Sequence, residues 1–256
     1  MLAIERRNEI LEKLQADKRV VVSQLSQTYD VSEETIRRDL EKLENDGYAI
    51  KSYGGAIINE NISFELPFNI RKKRNVVAKQ RIADLVSDLV QDGDSIMLDA
   101  SSTCVYIAKK LEEKGKKNLT IITNSIEIIV ELMNVRDWKI MSTGGITREG
   151  SFALVGQQTD RMISCYHVDK AIISCKGIDL EAGITDADEP LAQNKRSMLE
   201  SAAEQILAVD SSKFNRIAFT KVADIKEFST VVVEQEPEVK WSERFKDLGI
   251  SCIYPV

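Results

Sequence analysis

The chain has 256 residues, enough for a small domain and a larger one that each have their own core. Hydrophobic residues make up 43% and charged residues 30%, a balance typical of a folded protein, which excludes a mainly disordered chain. The formal net charge of -6 excludes a protein that coats nucleic acid indiscriminately, so any contact with nucleic acid has to be confined to a small surface.

The sequence contains neither a candidate membrane span nor a candidate metal site. Its apolar runs fall short of the ~20 residues that a span needs, and Met1 leads directly into the charged segment 4–7 without a signal-peptide core. The cysteines are scattered without CxxC pairs, which is typical of reduced thiols. They are Cys104, Cys165, Cys175 and Cys252. We therefore expect a cytoplasmic protein with no metal, no cofactor and no membrane contact.

Apolar spacing predicts three short helices near the amino terminus. A first helix over residues 5–15 carries its apolar residues on one face and ends near Asp17. The β-rich segment 18–22 is predicted to be a short extended segment that leads into the second helix. Ser23 is placed to cap a second helix and Ser32 to cap a third, which gives two short helices around a tight turn.

The third helix has a buried face and a charged one. Ile36, Leu40 and Leu43 follow i, i+4, i+7 spacing, so they share the buried face and Arg38 points outward, almost opposite them. A groove-bound recognition helix meets bases and phosphates with such a face and with its amino end. The alternative is a solvated helix whose cations only pair with neighbouring carboxylates. The candidate DNA contacts here are Ser32, Glu34, Thr35, Arg37, Arg38 and Lys42, and the carboxylates are Glu33, Glu34, Glu41 and Asp39.

A predicted β-hairpin follows this helix. Residues 48–53 form its first strand, Gly54 and Gly55 supply a tight turn, and residues 56–58 form its second strand. A hairpin directly after a recognition helix is typical of a winged helix-turn-helix. The remaining candidate DNA contacts are Ser23, Lys51, Tyr53 and Gly54.

Residues 31–56, VSEETIRRDLEKLENDGYAIKSYGGA, resemble the amino-terminal signature of the DeoR family of bacterial regulators of sugar metabolism. The run TIRRDL followed by GGA carries the resemblance. Tyr53 stands where we expect the family usually to have histidine. The resemblance implies sequence-specific binding to double-stranded operator DNA and repression of transcription.

The pattern changes between residues 57 and 75, where we predict a domain boundary. Beyond it, short β-rich runs alternate with amphipathic helices, which predicts a mainly parallel sheet covered by helices. The runs are 95–98, 119–122, 170–173, 206–209 and 230–233. The predicted fold class is α/β, with a winged helix-turn-helix over 1–58, a linker over 59–75 and a Rossmann-like domain over 76–256. The basic run 71–74 in the linker is a hinge, the start of a sensor helix or, as we favour, a solvated face.

Polar residues at the predicted strand ends are candidates for ligand binding. Residues 99–103 lie between a strand and a helix, where hydroxyls and backbone N–H groups at the positive helix end can bind phosphate. A helix cap is the alternative, although a cap needs only one such residue. Family members resemble DSGTT at this point, and Ser101 replaces the glycine. The candidates are Asp99, Ser101, Ser102 and Thr103.

The next two strands also end in polar loops, which in open α/β sheets converge on one crevice. Asn124 closes one strand, and Gly144 and Gly145 close the other unless they form an ordinary turn. The planar guanidinium of Arg148 is suited to bidentate hydrogen bonds with a phosphate.

Two further segments resemble the family, residues 173–186 and the run DSSKF over 210–214. The resemblance implies that acidic side chains there accept sugar hydroxyls and that lysines neutralise a phosphate, although exposed loop charges are usually only solvated. Lys213 is the strongest cationic candidate. The implied effector ligands are Lys176, Asp179, Asp186, Lys195, Asp210 and Lys213.

Two alternatives to a metabolite-sensing regulator remain. The second half resembles the fold of ribose-5-phosphate isomerase, so Asp99, Asp186 or Glu189 are candidate acids or bases of a sugar-phosphate isomerase. The other alternative is a DNA-binding protein without a ligand. We favour a repressor without catalytic residues, a homodimer or homotetramer, that is released from DNA by a phosphorylated sugar. The single histidine, His167, precedes a predicted strand and is assigned a structural role.

Overall fold

The computed structural model describes residues 2–59 and 67–255 and divides the chain into two compact units, residues 1–66 (unit 1) and 67–256 (unit 2). The predicted boundaries at 58/59 and 75/76 remain predictions. In the part of the chain that the structure describes, the helices are too short or too polar to cross a bilayer.

Unit 1 is a three-helix arrangement with a small antiparallel sheet, whose strands lie in the order β1-β3-β2. Side chains from all three helices form its core, and those of Ile10, Leu14 and Ile36 have no exposed surface. Its elements are α1 (Ala3–Asp17), β1 (Arg19–Val21), α2 (Val22–Tyr29), α3 (Glu33–Asn45), β2 (Ala49–Ser52) and β3 (Gly55–Ile58).

The helix caps of unit 1 follow the prediction at one position and depart from it at another. Ser32 caps α3, where its Oγ accepts a hydrogen bond from the backbone N–H of Thr35 at 3.2 Å. Ser23 does not cap α2, because that helix begins at Val22 and its N-cap is Val21. Ser23 therefore lies in the first turn of α2, where it is exposed.

The wing hairpin depends on its two glycines. Gly54 has φ +76°, a left-handed conformation that favours glycine, and it forms the tip between β2 and β3. At Gly55 a Cβ atom would lie 2.0 Å from the carbonyl oxygen of Val20, so only glycine lets β3 approach β1 this closely. The hairpin is therefore held against the helical part of unit 1.

Unit 2 alternates strands and helices as predicted. Its first half contains α4 (Phe68–Lys73), α5 (Val76–Leu89), β4 (Ser95–Leu98), α6 (Ser102–Glu113), β5 (Thr120–Thr123), α7 (Ile126–Leu132), β6 (Lys139–Ser142), β7 (Ile146–Arg148), β8 (Ala153–Val155) and α8 (Gln157–Ser164). Its second half contains β9 (Val168–Ile173), β10 (Gly177–Asp179), β11 (Gly183–Asp186), α9 (Glu189–Glu200), β12 (Ala202–Ala208), β13 (Thr220–Ala223), β14 (Thr230–Val232), α10 (Val239–Asp247) and β15 (Ser251–Ile253). Short 3-10 turns span Ser211–Lys213 and Ile225–Glu227.

A parallel sheet of seven strands, in the order β15-β14-β12-β9-β4-β5-β6, forms the centre of unit 2. All five predicted strands belong to it, which confirms the predicted fold class. Successive residues of β4 enter two different core clusters, Met97 on one face and Ile96 and Leu98 on the other, so the sheet is covered on both sides. Because all seven strands run in one direction, their carboxyl ends share one edge of the sheet.

The predicted linker contains a helix. Residues 60–66 lie outside the described residues, but α4 follows at once, and its Phe68 and Ile70 are buried. Lys72 forms an ion pair with Glu127 on α7. The basic run 71–74 is therefore the end of a helix packed into unit 2. Arg71 and Lys72 are half-buried, so the favoured interpretation as a solvated face was wrong for them, whereas Lys73 and Arg74 are exposed.

Candidate functional site

The outward face of α3 carries three exposed cations, as predicted. The side chains of Arg37, Arg38 and Lys42 are 57%, 77% and 59% exposed, and each pairs with a carboxylate four residues away. Exposed pairs of this kind contribute only ~0.3–0.5 kcal/mol, so they do not prevent the cations from binding phosphate. The pairs are Arg37–Glu33 at 2.6 Å, Arg38–Glu34 at 3.4 Å and Lys42–Asp46 at 3.1 Å.

Asp39 lies on the opposite, inner face of α3. Its carboxylate is 2.6 Å from Nε of Arg6 and 3.4 Å from a terminal nitrogen of Arg7, both on α1, and its side chain is 5% exposed. The prediction of Asp39 as a possible partner of the outward cations was wrong, because at 100° per residue it follows Arg38 onto the buried side. These two ion pairs fasten α3 to α1.

The remaining candidate DNA contacts lie at the amino end of α3 and on the wing. The hydroxyls of Ser32 and Thr35 are 2.9 Å apart beside the first turn of α3. Tyr53 is fully exposed at the wing tip, next to Gly54. Lys51 instead faces α3, with its Nζ 3.4 Å from Glu41 and 3.5 Å from Glu44.

In unit 2, Asp99, Asp186 and Lys195 form a buried ionic triad. Lys195 Nζ lies 2.6 Å from Asp99 Oδ2 and 2.7 Å from Asp186 Oδ2, and it also donates to the backbone carbonyl of Ser174. Burial raises the pKa of Asp99, but the charge of Lys195 together with hydrogen bonds from Cys104, Lys195 and Ser101 outweighs burial and leaves this pKa below its ordinary value. Burial lowers the pKa of Lys195, whereas Asp186 and Asp99 raise it by more. These three predicted effector ligands therefore bind one another and connect the ends of β4 and β11 to α9.

The amino end of α6 keeps free donors beside this triad. Ser101 caps the helix, because its Oγ accepts the N–H of Cys104 at 3.1 Å, which accounts for one of the three hydroxyl residues. Ser102 and Thr103, the other two, are buried in the first turn of α6. α6 is 12 residues long, and its amino end lies at the carboxyl edge of the sheet. The first backbone N–H groups of a helix and its dipole favour an anion at such a position.

Asn124, at the end of β5, carries a buried oxygen without a partner. Its Nδ2 donates to the carbonyl of Leu154 and to Oδ1 of Asn194, both at 3.1 Å, while Oδ1 finds no partner in the described part of the chain. Asn194 in turn donates to Asp160 at 2.6 Å, which fixes the direction of both amides. A buried unsatisfied oxygen marks a place for a donor such as a hydroxyl.

Gly144 and Gly145 form a turn packed against α8. Thr159 Oγ1 donates to the carbonyl of Gly144 at 2.7 Å, and a Cβ atom on Gly145 would lie 2.0 Å from Thr159 Oγ1. These contacts favour the alternative of an ordinary turn. Arg148 pairs through Nε with Asp188, the residue that caps α9.

Asp179 closes the β10–β11 hairpin. Its Oδ1 accepts the backbone N–H groups of Glu181 and Ala182, each at 3.0 Å. These two hydrogen bonds lower the pKa of the Asp179 carboxyl below its ordinary value. The contacts thus give Asp179 a structural task, separate from the predicted binding of sugar hydroxyls.

Lys213 and Asp210 lie on the 3-10 turn after β12, near a lysine that the sequence analysis missed. Lys79 is 4% exposed, and its Nζ donates to the carbonyls of Arg71 and Arg74, the latter at 2.7 Å. The pKa of Lys79 is lowered from 10.5 to about 7: burial is the largest cause, the charges of Lys213, Arg71 and Lys176 add to it, and the charge of Asp210 opposes it. Lys79 therefore lies within electrostatic range of three other cations and of the buried carboxylate of Asp210.

Lys79 could have been found from the sequence. It shares the spacing i, i+3, i+4, i+7 with Ile82, Ala83 and Val86, all of which are buried on the inner face of α5. A lysine in an apolar stripe requires a partner or a function.

Comparison with known proteins agrees with this geometry. A family model described as the DeoR-like helix-turn-helix domain matches residues 6–61, and one described as the DeoR C terminal sensor domain matches residues 74–235, more than half of the chain. The chain belongs to the DeoR family. The resemblance inferred from TIRRDL and GGA is thereby confirmed.

Relatives within the DeoR family match most of the chain. It is 39% identical over 234 residues to the uncharacterized HTH-type transcriptional regulator YulB of Bacillus subtilis, covering 91% of this chain and 90% of that protein. It is 34% identical to the L-fucose operon activator of Haemophilus influenzae, covering 87% and 88%. It is 30% identical to the putative aga operon transcriptional repressor of Escherichia coli O157:H7, covering 97% and 93%. Among solved structures, ribose 5-phosphate isomerase A from Methanocaldococcus jannaschii is similar with 18% identity, 55% coverage of each chain and a TM-score of 0.40.

Proposed function

We propose that this DeoR-family protein is a transcriptional repressor of carbohydrate-utilisation genes, which binds operator DNA through unit 1 and is released by a phosphorylated sugar bound in unit 2. The observation that carries the proposal is the position of Lys176 directly after β9, and of Asp210 and Lys213 directly after β12, at the carboxyl edge of a parallel sheet. Lysines at that edge are suited to an anion, and open α/β sheets bind their ligands there.

Unit 1 reads DNA with α3 and the wing. The amino end of α3 enters the major groove, where Ser32, Thr35, Arg37 and Arg38 reach bases and phosphates. The exposure of Arg37 and Arg38 and the weakness of their ion pairs support this role. Tyr53 and Gly54 at the wing tip contact the neighbouring backbone.

In the proposed effector site, some residues bind the effector and others hold the surrounding loops in place. Lys213 and the amino end of α6 neutralise the phosphate, and the unsatisfied Oδ1 of Asn124 accepts a sugar hydroxyl. The triad of Asp99, Asp186 and Lys195 holds the loops in place, because Lys195 binds both buried carboxylates.

The triad also supports sensing without turnover. An isomerase needs a carboxylate that can reach a proton on carbon in the bound sugar. The side chains of Asp99 and Asp186 are both 2% exposed and held by Lys195, and Glu189 pairs with Arg196. The two buried carboxylates named for the isomerase alternative are therefore bound to Lys195, whereas Glu189 remains 63% exposed.

Regulation requires that the effector and the operator prefer different conformations of the protein. We propose a homodimer or homotetramer in the cytoplasm, whose paired reading units meet half-sites one helical turn, ~34 Å, apart or a multiple of it. A coupling free energy of about 1–3 kcal/mol between the two sites changes operator affinity about 5- to 150-fold. The names of two relatives include both a repressor and an activator, and of these we propose repression.

The test is operator binding by the purified protein at fixed salt, with DNA from upstream of its own gene cluster and a panel of hexose 6-phosphates and ribose 5-phosphate. We expect one panel member to release specific binding and Lys213→Ala to abolish release while retaining DNA binding. Lys221→Ala, which removes an exposed lysine paired with Asp224, is the matched control. Turnover of a panel member without specific DNA binding would establish the isomerase instead, and binding that no sugar phosphate affects would establish the ligand-independent alternative.

A further inference from the structure

The side chain of Asn75, between α4 and α5, forms hydrogen bonds with a distant turn and does not cap its own helix. It is the N-cap residue of α5 with φ +48° and ψ +39°, yet its side chain makes no capping hydrogen bond. Asparagine is among the best capping residues because its side-chain oxygen accepts an N–H of the first turn. Here the amide group instead reaches a turn 135 residues away, donating from Nδ2 to Asp210 Oδ1 at 3.0 Å and to Ser212 Oγ at 3.3 Å.

The turn that Asn75 contacts carries Lys213. Asp210 Oδ1 also accepts the N–H of Ser212 at 3.1 Å, so one carboxylate oxygen holds both Asn75 and the turn. Glu234 fixes the start of the turn by accepting the N–H and the hydroxyl of Ser211, at 2.9 and 2.6 Å. An anion that binds Lys213 and Ser212 competes for the bonds that Asp210 makes, and the change reaches Asn75 directly.

On its other side, Asn75 is joined to α4. Lys79 holds the carboxyl end of that helix through the carbonyls of Arg71 and Arg74, and the hydroxyl of Tyr106 donates to the carbonyl of Lys72 at 3.1 Å. α4 is the first helix of unit 2, and the chain from unit 1 enters it at Pro67. A shift of the 210–213 turn that moves Asn75 therefore moves the segment of chain that leads to unit 1.

We infer that Asn75 is a positioning residue for regulation: it transmits occupancy of the 210–213 turn by a phosphorylated ligand to α4 and so to operator affinity, without binding ligand or DNA itself. This inference rests on the proposed function. It assigns the regulatory coupling to one amide group that can be removed while the backbone keeps its shape, because glycine also adopts the left-handed conformation.

The experiment compares three full-length proteins: wild type, Asn75→Gly and Asn118→Gly. Asn118 has φ +58° and precedes β5 at the opposite, amino-terminal edge of the sheet, so its replacement makes the same backbone change far from the turn. For each protein we measure operator affinity with and without the panel of hexose 6-phosphates and ribose 5-phosphate, and the affinity for the same sugar phosphates by calorimetry. Asn75→Asp, which keeps the side-chain volume but faces Asp210 with a second carboxylate, is a second variant should Asn75→Gly fail to fold.

We expect wild type and Asn118→Gly to be released alike, by about 5- to 150-fold in affinity. Asn75→Gly should bind the operator and the sugar phosphate as wild type does, yet change operator affinity less than about 2-fold when the ligand is added. Release equal to that of wild type overturns the inference and leaves the proposed function intact. Loss of sugar-phosphate binding by Asn75→Gly alone also overturns it, since Asn75 would then be a ligand. Failure of wild type to bind any panel member overturns the inference together with the effector site of the proposed function.

Discussion

The ammonium of Lys195 lies between two buried carboxylates, 2.6 Å from Asp99 and 2.7 Å from Asp186. One cation thus pairs with two anions. Because the three residues come from the end of β4, from β11 and from α9, their attraction fixes the loops around the proposed effector site relative to one another.

Replacing Lys195 with methionine should therefore strongly destabilise unit 2. Breaking a buried ion pair by removal of one partner costs about 3–5 kcal/mol, because the remaining charge stays buried. We expect Lys195→Met to lower the free energy of unfolding of unit 2 by about that amount in urea titrations. Lys110→Met is the control, since Lys110 pairs with Glu113 at the surface and should cost no more than about 1 kcal/mol. Equal losses in the two variants would contradict a structural role of the triad.

The two adjacent glycines of the 144–145 turn should differ in their tolerance of alanine. Both have positive φ, +62° and +121°, but a Cβ on Gly144 meets open space whereas one on Gly145 meets Thr159 Oγ1 at 2.0 Å and the carbonyl of Val155 at 2.8 Å. Gly144→Ala should cost about 1–2 kcal/mol for the backbone conformation alone. Gly145→Ala should cost a further 1–3 kcal/mol, roughly, from overpacking. Thermal unfolding of both variants measures the difference, and a Gly144→Ala protein as unstable as Gly145→Ala would refute the close approach.

Stability should depend on pH through Lys79. Its pKa is lowered from 10.5 to about 7 in the folded chain, chiefly by burial. Below pH 7 the amine is protonated in both the folded and the unfolded state, so the penalty for burying its charge is complete. Between pH 7 and 10.5 the unfolded chain binds more protons, and the free energy of unfolding therefore rises with pH. Urea unfolding without ligand should show this rise in wild type and a smaller one in Lys79→Met; identical slopes would mean that Lys79 does not titrate in this range.

Removal of the charge at Arg38 should weaken DNA binding without changing stability. Its side chain is 77% exposed, and its pair with Glu34 is long. We expect Arg38→Ala to reduce operator affinity and, if the guanidinium contacts a phosphate, to reduce the salt slope by about one. Lys13→Ala, on α1, removes an exposed cation from another face and should leave both quantities unchanged. Sugar-phosphate affinity should be the same in all three proteins, and its loss in Arg38→Ala would point to general damage.

Patterns that depend on near neighbours in the sequence were predicted well. The buried face of α3, the cap at Ser32 and all five central strands follow from apolar spacing and side-chain chemistry within a few residues. The start of α2 was misplaced because the strand before it ends one residue earlier than its β-rich composition suggests.

Interactions between distant parts of the chain were not predictable in the same way. Lys195 and Asp99 are 96 residues apart, so the sequence proposed both as ligands but could not reveal that they bind each other. Arg148 and Asp188, 40 residues apart, are a second example. Asn75 fell within a segment assigned as linker, and its contact with Asp210, 135 residues away, arises only in the folded chain.

The carboxylates beside each cation of α3 affect how the protein finds its site. Residues 1–59 contain nine lysines and arginines against eleven aspartates and glutamates, so this segment as a whole is not attracted to the uniform negative charge of a chromosome. We therefore expect weak, short-lived binding to non-specific DNA, because few counterions are released there. If α3 reads the operator as proposed, we expect long residence only on sequences whose base edges fit α3.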